Sequence, residues 1–164
     1  MKSLKLLLII LVTYYIYFTE TWLNSDISDK VLSIQGYDII RKGRINRNGG
    51  DIIIYVRNDL QYQTIQLPHL NYEIMPIVFP SIKTILIALY HHYWGNSKHH
   101  STTIDILYNI INSHHSRNTN HITIVGDFND LVHHIHAITV VYKLTNIVKF
   151  NTRQNKTIGR LCRH

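Results

Sequence analysis

Cysteine is almost absent from this chain: Cys162 is the only one in 164 residues. No intramolecular disulfide can form, and a thiolate zinc site has no ligand set. A secreted disulfide scaffold is thereby excluded, and a reducing, intracellular compartment is expected. Glycine is also sparse, and neither glycine nor alanine occurs before Gly36. The apolar run Leu6 to Val12 therefore lacks the small-residue cleavage site of a signal peptide. It also falls short of the ~20 residues that a bilayer span needs. Residues 1–13 read as a short buried helix leading into a core strand, Tyr14 to Glu20, whose aromatic and β-branched content suits a sheet covered on both faces. A weak membrane anchor is the competing reading. Acidic residues are few: 10 against 17 Lys and Arg, giving a formal charge of +7 and a pI near 9.5. Such a field concentrates polyanions at the surface without selecting among them.

Histidine, in contrast, is abundant at 12 residues, partly in clusters: His91-His92, His99-His100, His114-His115 and His133-His134 with His136. Adjacent side chains diverge on either a helix or a strand, so such pairs seldom chelate one ion. His133 and His136 would share a helix face, yet no Cys/His pattern completes a tetrahedral shell, and the clusters read as solvated loop residues.

With 45% hydrophobic and 16% charged residues, no repeat and no linker, the composition is that of one globular domain. Asn24 to Asp29 is a polar connection, and Ile34 to Ile40 a short extended segment. A basic loop follows, Arg41 to Asn48, closed by Gly49-Gly50 at a tight turn before a strand from Asp51 to Arg57. Thr64 to Tyr72 and Glu73 to Phe79 are strand-like, but Pro68, Pro76 and Pro80 place them at sheet edges or in turns. Ser81 to Tyr90 is a cleaner strand. Ser101 would cap a helix whose apolar face carries Ile104, Leu107, Tyr108 and Ile111. His121 to Val125 is a further strand, then a weaker helix from Leu131 to Ile138 and a strand from Leu144 to Phe150. Strands with a few interspersed helices suit a layered α/β sandwich.

Two places carry chemistry. Glu20 ends an apolar strand, where a carboxylate needs a partner, and a hard cation is a reasonable one. Asp127 and Asn129 lie two apart where a strand stops. Continued extension through Phe128 would aim both the same way, to activate a water and hold a phosphoryl oxygen, with Phe128 packed behind. The simpler alternative is an Asx turn leading into the next helix.

The order of segments is more telling. Thr19-Glu-Thr-Trp-Leu23, then Arg47-Asn-Gly-Gly50 before Ile54-Tyr-Val-Arg-Asn58, then Leu89-Tyr90, Gly126-Asp-Phe-Asn129 and Lys149-Phe-Asn-Thr-Arg153 resembles the endonuclease/exonuclease/phosphatase superfamily. The match is to its non-LTR retrotransposon, apurinic-endonuclease-like branch, over about residues 18–157. The resemblance implies a two-sheet, four-layer α/β sandwich, here incomplete, that cuts DNA phosphodiester bonds with Mg²⁺, or Mn²⁺ in its place. It implies Glu20 as metal ligand, Tyr90 on the scissile phosphate, Asp127 orienting or deprotonating the attacking water, and Asn129 steadying the same group. The nick's 3′-hydroxyl would prime reverse transcription, in the nucleus. Arg41, Lys42, Arg44 and Arg47 of the basic loop would hold the DNA backbone.

Three departures weigh against activity. No Asn precedes Glu20, where the family carries a metal-site Asn. Gly159 stands where its pattern has Asp, and the closing Ser-Asp-His strand has no counterpart, since no Asp or Glu follows Asp130. Loss of one member of a catalytic unit costs orders of magnitude, so cleavage is expected to be weak or absent. The alternatives are a non-catalytic basic module that holds nucleic acid, and a small membrane-anchored protein.

Overall fold

The computed structural model describes residues 14–19, 21, 27–42, 51–67, 72–91, 97–115, 121–147 and 159–163. Two sheets stack face to face. The smaller is antiparallel, with β1 (Tyr15–Thr19) and β2 (Tyr37–Lys42) flanking β3 (Ile52–Arg57). The larger has six strands in the order β4 (Gln63–Thr64), β5 (Glu73–Phe79), β6 (Thr84–Tyr90), β7 (His121–Asp127), β9 (Gly159–Arg163), β8 (Thr145–Asn146). Only β6 and β7 run parallel, and the helix Ser97–His115 makes the crossover such a pair requires. With the one-turn helix α1 (Asp29–Leu32) placed first in the chain, this crossover is α2 and His136–Val141 is α3.

Hydrophobic side chains of the larger sheet go to two cores. Met75, Ile77, Phe79, Leu86, Ala88 and Val125 meet Ile52, Ile54 and Val56 of β3 between the sheets. Ile85, Ile87, Leu89, Ile122 and Ile124 pack on the other face against Leu107, Ile110 and Ile111 of α2 and against Phe128 and Leu131. A strand buried on both faces has no polar side to alternate, which is why β3, β6 and β7 read as unbroken apolar runs. The outer face of β3 is covered as well: Tyr55 Oη donates to the Leu32 carbonyl at 2.7 Å, setting α1 on that side as the fourth layer.

Several local expectations need correction. β1 is the outer strand of its sheet rather than a fully covered one. Tyr15 and Tyr17 reach the inter-sheet core, Tyr15 stacking on Phe79 at 5.8 Å, while Phe18 is 49% exposed. The helix expected to begin at Ser101 begins a turn earlier, at Ser97. Its first turn, Ser-Lys-His-His, lacks apolar spacing, and Ser101 Oγ bonds back to the Lys98 carbonyl. Arg41 and Lys42, expected to open the basic loop, belong to β2. Gly49-Gly50 lies outside the described residues, and a left-handed backbone is found at Asp51, φ 67°. Of the strand expected from Leu144 to Phe150, Thr145–Asn146 is strand among the described residues, and Gly159–Arg163 pairs antiparallel with β7.

Pro76 sits inside β5 yet breaks nothing. Its carbonyl accepts from the Ile65 N–H on the side where β4 is only two residues long, so the missing N–H also faces that side.

Candidate active site and a histidine cluster behind it

At one end of the larger sheet the register aligns Glu73 with Tyr90 and Tyr90 with Asp127. Directly paired residues point to the same face, and these continue the alternation of Met75, Ala88 and Val125, so the three side chains enter the space between the sheets. β1 lies against β6 and β7 at this interface. Glu73 and Asp127 are 7% and 9% exposed. Lys42 of β2 reaches across: its Nζ donates to the Ile74 carbonyl at 3.0 Å, burial pulls its pKa down, and the Glu73 carboxylate opposes that shift.

Asp127 closes β7, and extension does not continue. Phe128 is helical, Asn129 is left-handed at φ 45°, and a 3-10 turn spans Asn129–His133. Asp127 Oδ1 accepts the Asn129 backbone N–H at 3.2 Å, the Asx turn weighed from the sequence. Asn129 Nδ2 donates to the His91 carbonyl at 2.7 Å, and the His91 N–H donates to the Asp127 carbonyl at 2.8 Å. The segment carrying Asp127 is thus clasped to the end of β6. Phe128 packs on the helix side.

Tyr90, Asp127 and Asn129 are therefore brought to one end of the sheet. Glu20, Arg44 and Arg47 lie outside the described residues. Arg41 does not extend into a loop: its guanidinium bonds Asp29 Oδ1 at 2.8 Å and the Ile27 carbonyl at 2.7 Å. With Lys42 turned to the β5 backbone, neither presents the open basic loop that the sequence suggested. Glu73 is the site residue the sequence reading missed. Its signal was legible, being one of two glutamates and the first residue of a strand with little alternation.

The opposite face of the same sheet end holds imidazoles. His91 is 1% exposed, contrary to the solvated-loop expectation, because it continues the inward row of Leu89 toward α2. Its Nε2 lies 3.1 Å from His99 Nδ1, and its Nδ1 lies 3.0 Å from Asp130 Oδ1. His100 Nε2 meets Asp130 Oδ2 at 3.0 Å. Tyr72 stacks on His99 at 4.8 Å and His134 on His100 at 4.6 Å. Burial, then the neighbouring His99, pushes the His91 pKa down to about 4, so its ring is neutral at pH 7. Among the described residues, His91, His100 and Asp130 form a group able to hold a metal ion.

Stacked sheets with a helix crossover on one face match the endonuclease/exonuclease/phosphatase fold. Solved structures of that fold superpose on it: the human Nocturnin catalytic domain with bound sulfate (13% identity, 98% of this chain and 73% of that one, TM-score 0.57); humanized D. rerio TDP2 (12%, 98% and 73%, 0.54); and the Neisseria 3′ phosphatase NExo bound to a product DNA hairpin (11%, 78% and 52%, 0.53). The chain spans about half the length of the last. No family model matches the sequence, and no curated protein matches it.

Proposed function

We propose that this chain is a DNA-acting, divalent-metal-dependent phosphodiesterase domain of the retrotransposon nicking-endonuclease type, with cleavage impaired. The observation that carries the reading is the row Glu73, Tyr90, Asp127 entering the inter-sheet space, on a fold shared with a 3′ phosphatase bound to DNA. The motif order from Thr19-Glu-Thr-Trp-Leu23 to Lys149-Phe-Asn-Thr-Arg153 supports the retrotransposon branch.

The donors suit a hard cation: the two buried carboxylates on this face, Glu73 and Asp127, offer oxygen, and Glu20 follows β1 directly in sequence. Glu20, joined by Asp127 or Glu73, would hold Mg²⁺ (or Mn²⁺), and the ion would supply Lewis-acid polarisation of a phosphoryl oxygen. Asp127 orients or deprotonates water, and the Tyr90 hydroxyl contacts the phosphate. Asn129 serves by position, since its amide holds the His91 carbonyl and its N–H fixes the Asp127 carboxylate. Glu73 favours the charged form of the Lys42 ammonium beside it, against the larger pull of burial. Impairment rests on Gly159, which stands where the resembled pattern carries Asp.

The test is plasmid nicking with Mg²⁺, in parallel with DNA binding by fluorescence anisotropy. Expected are DNA binding that weakens steeply as salt rises, and nicking no faster than that of Asp127→Ala. Robust nicking abolished by Asp127→Ala would overturn impairment while keeping the nuclease assignment. Absence of DNA binding together with absence of nicking would overturn both. Residues 1–13 lie outside the described residues, and no described helix is long and apolar enough to cross a membrane.

A further inference from the structure

We propose that His91, His100 and Asp130 bind one zinc-type divalent cation on the helix side of the larger sheet, separate from the carboxylate row between the sheets. Their ligand atoms lie within 4.8 Å of one another. Two imidazole nitrogens and one carboxylate are a donor set that Zn²⁺ and its borderline neighbours take readily, whereas Mg²⁺ prefers oxygen alone.

The second observation is an unmade bond. His91 Nδ1 and Asp130 Oδ1 stand 3.0 Å apart, yet both are buried without a hydrogen-bond partner. A proton on that nitrogen would not lie on the line to the oxygen. A buried imidazole nitrogen and a buried carboxylate oxygen facing each other unbonded are costly as they stand, and a shared cation satisfies both. The remaining His91 nitrogen, Nε2, is 3.1 Å from His99 Nδ1, the kind of outer contact that fixes a ligating ring's orientation and tautomer. Tyr72 and His134 brace His99 and His100 by stacking. Three protein ligands leave a fourth position for water.

The three ligands come from the end of β6, the first turn of α2 and the 3-10 turn after β7. The ion would join these elements at the point where the His91 backbone holds Asp127 and Asn129. It is a positioning cation for the opposite face, and its binding is measurable without any activity.

The test is calorimetric titration of the tag-free, chelator-treated full chain with Zn²⁺ and, separately, Mg²⁺, with native mass spectrometry for stoichiometry. Expected is one tightly held Zn²⁺ per chain, a melting temperature raised by about 5–10 °C with Zn²⁺ at about a hundred times its Kd, and no comparable effect of Mg²⁺ here. His100→Ala and Asp130→Asn should each weaken binding at least about tenfold. The double variant His133→Ala/His136→Ala, on exposed positions, should retain it. Should a triad variant fail to fold, Co²⁺ added to the unaltered chain should broaden the amide signals of His91, His100 and Asp130 first. No bound Zn²⁺, binding unchanged in both triad variants, binding lost only in the control, or Co²⁺ broadening elsewhere would each overturn the proposal.

Discussion

Replacing Gly126 by alanine is expected to leave no cooperatively folded protein. Gly126 has φ 142°, a conformation that L side chains rarely adopt, and it pairs with Leu89 across the parallel β6–β7 ladder. A Cβ built there would overlap the Leu89 carbonyl oxygen and come within 2.7 Å of its carbon. Those are backbone atoms of a strand held on its other side as well, through the Ile74 and Leu89 pairing, so no flexible side chain can move aside. Backbone strain of about 1–3 kcal/mol is thus compounded by a clash within a central sheet. The total falls in the range above about 4 kcal/mol that is exceptional for one substitution, against a whole stability of about 5–15 kcal/mol. Gly36→Ala is the contrast: φ is 85° and nothing lies within 4 Å of an added Cβ, so only about 1–2 kcal/mol is lost. Urea unfolding followed by circular dichroism separates them. A transition for Gly126→Ala near that of the parent chain would show that β6 can retreat. The first residue of the Gly-Asp-Phe-Asn segment is therefore set by close backbone approach.

The elements most legible in the sequence were those buried on both faces. Ile52 to Arg57, Thr84 to Tyr90 and His121 to Asp127 are largely apolar runs, the last interrupted by Thr123, and their shortness marks them as strands. What failed was decided by tertiary contact. Four polar residues began α2 because packing of Thr103, Leu107 and Ile110 below them holds the helix. Arg41 became strand because Asp29, twelve residues earlier, captures its guanidinium. Gly159–Arg163 carries little strand pattern, and it is strand because β7 offers it an edge.

The candidate site was named by motif, and its geometry was only half legible. Tyr90 and Asp127 were placed correctly at one sheet end, but the shared direction of Asp127 and Asn129 was not realised, since the Asx turn reverses the chain between them. The histidine cluster was out of reach of any spacing rule. Adjacent His99 and His100 both lie against His91, contrary to the expected divergence, and the group able to hold an ion joins residues 9 and 39 positions from His91, counting His100 and Asp130 by their numbers. Only the crossover connection that makes β6 and β7 parallel brings those positions together.

Phe128→Ala is expected to cost about 3–5 kcal/mol, the usual penalty for deleting a buried aromatic ring. Phe128 is 1% exposed and lies in the helix-side core with Leu131 and Ile135 of its own segment and with Leu107 and Ile111 of α2. Its φ and ψ begin the 3-10 turn, so the ring is the wedge that redirects the chain after β7. Removing it loses apolar contact and also frees Asn129, whose amide is the clasp on His91. Two variants separate these effects. Phe128→Leu keeps most of the volume and should cost less than about 1.5 kcal/mol. Asn129→Ala removes the clasp and strands the His91 carbonyl, at about 1–3 kcal/mol. If core filling dominates, urea midpoints should rank the parent first, then Phe128→Leu, Asn129→Ala and Phe128→Ala. If the ring serves mainly to hold the turn, Phe128→Ala and Asn129→Ala should be nearly equal, and their double variant little worse than either. The first ranking is expected, because the ring is wholly enclosed whereas the clasp is one hydrogen bond on a partly buried side chain.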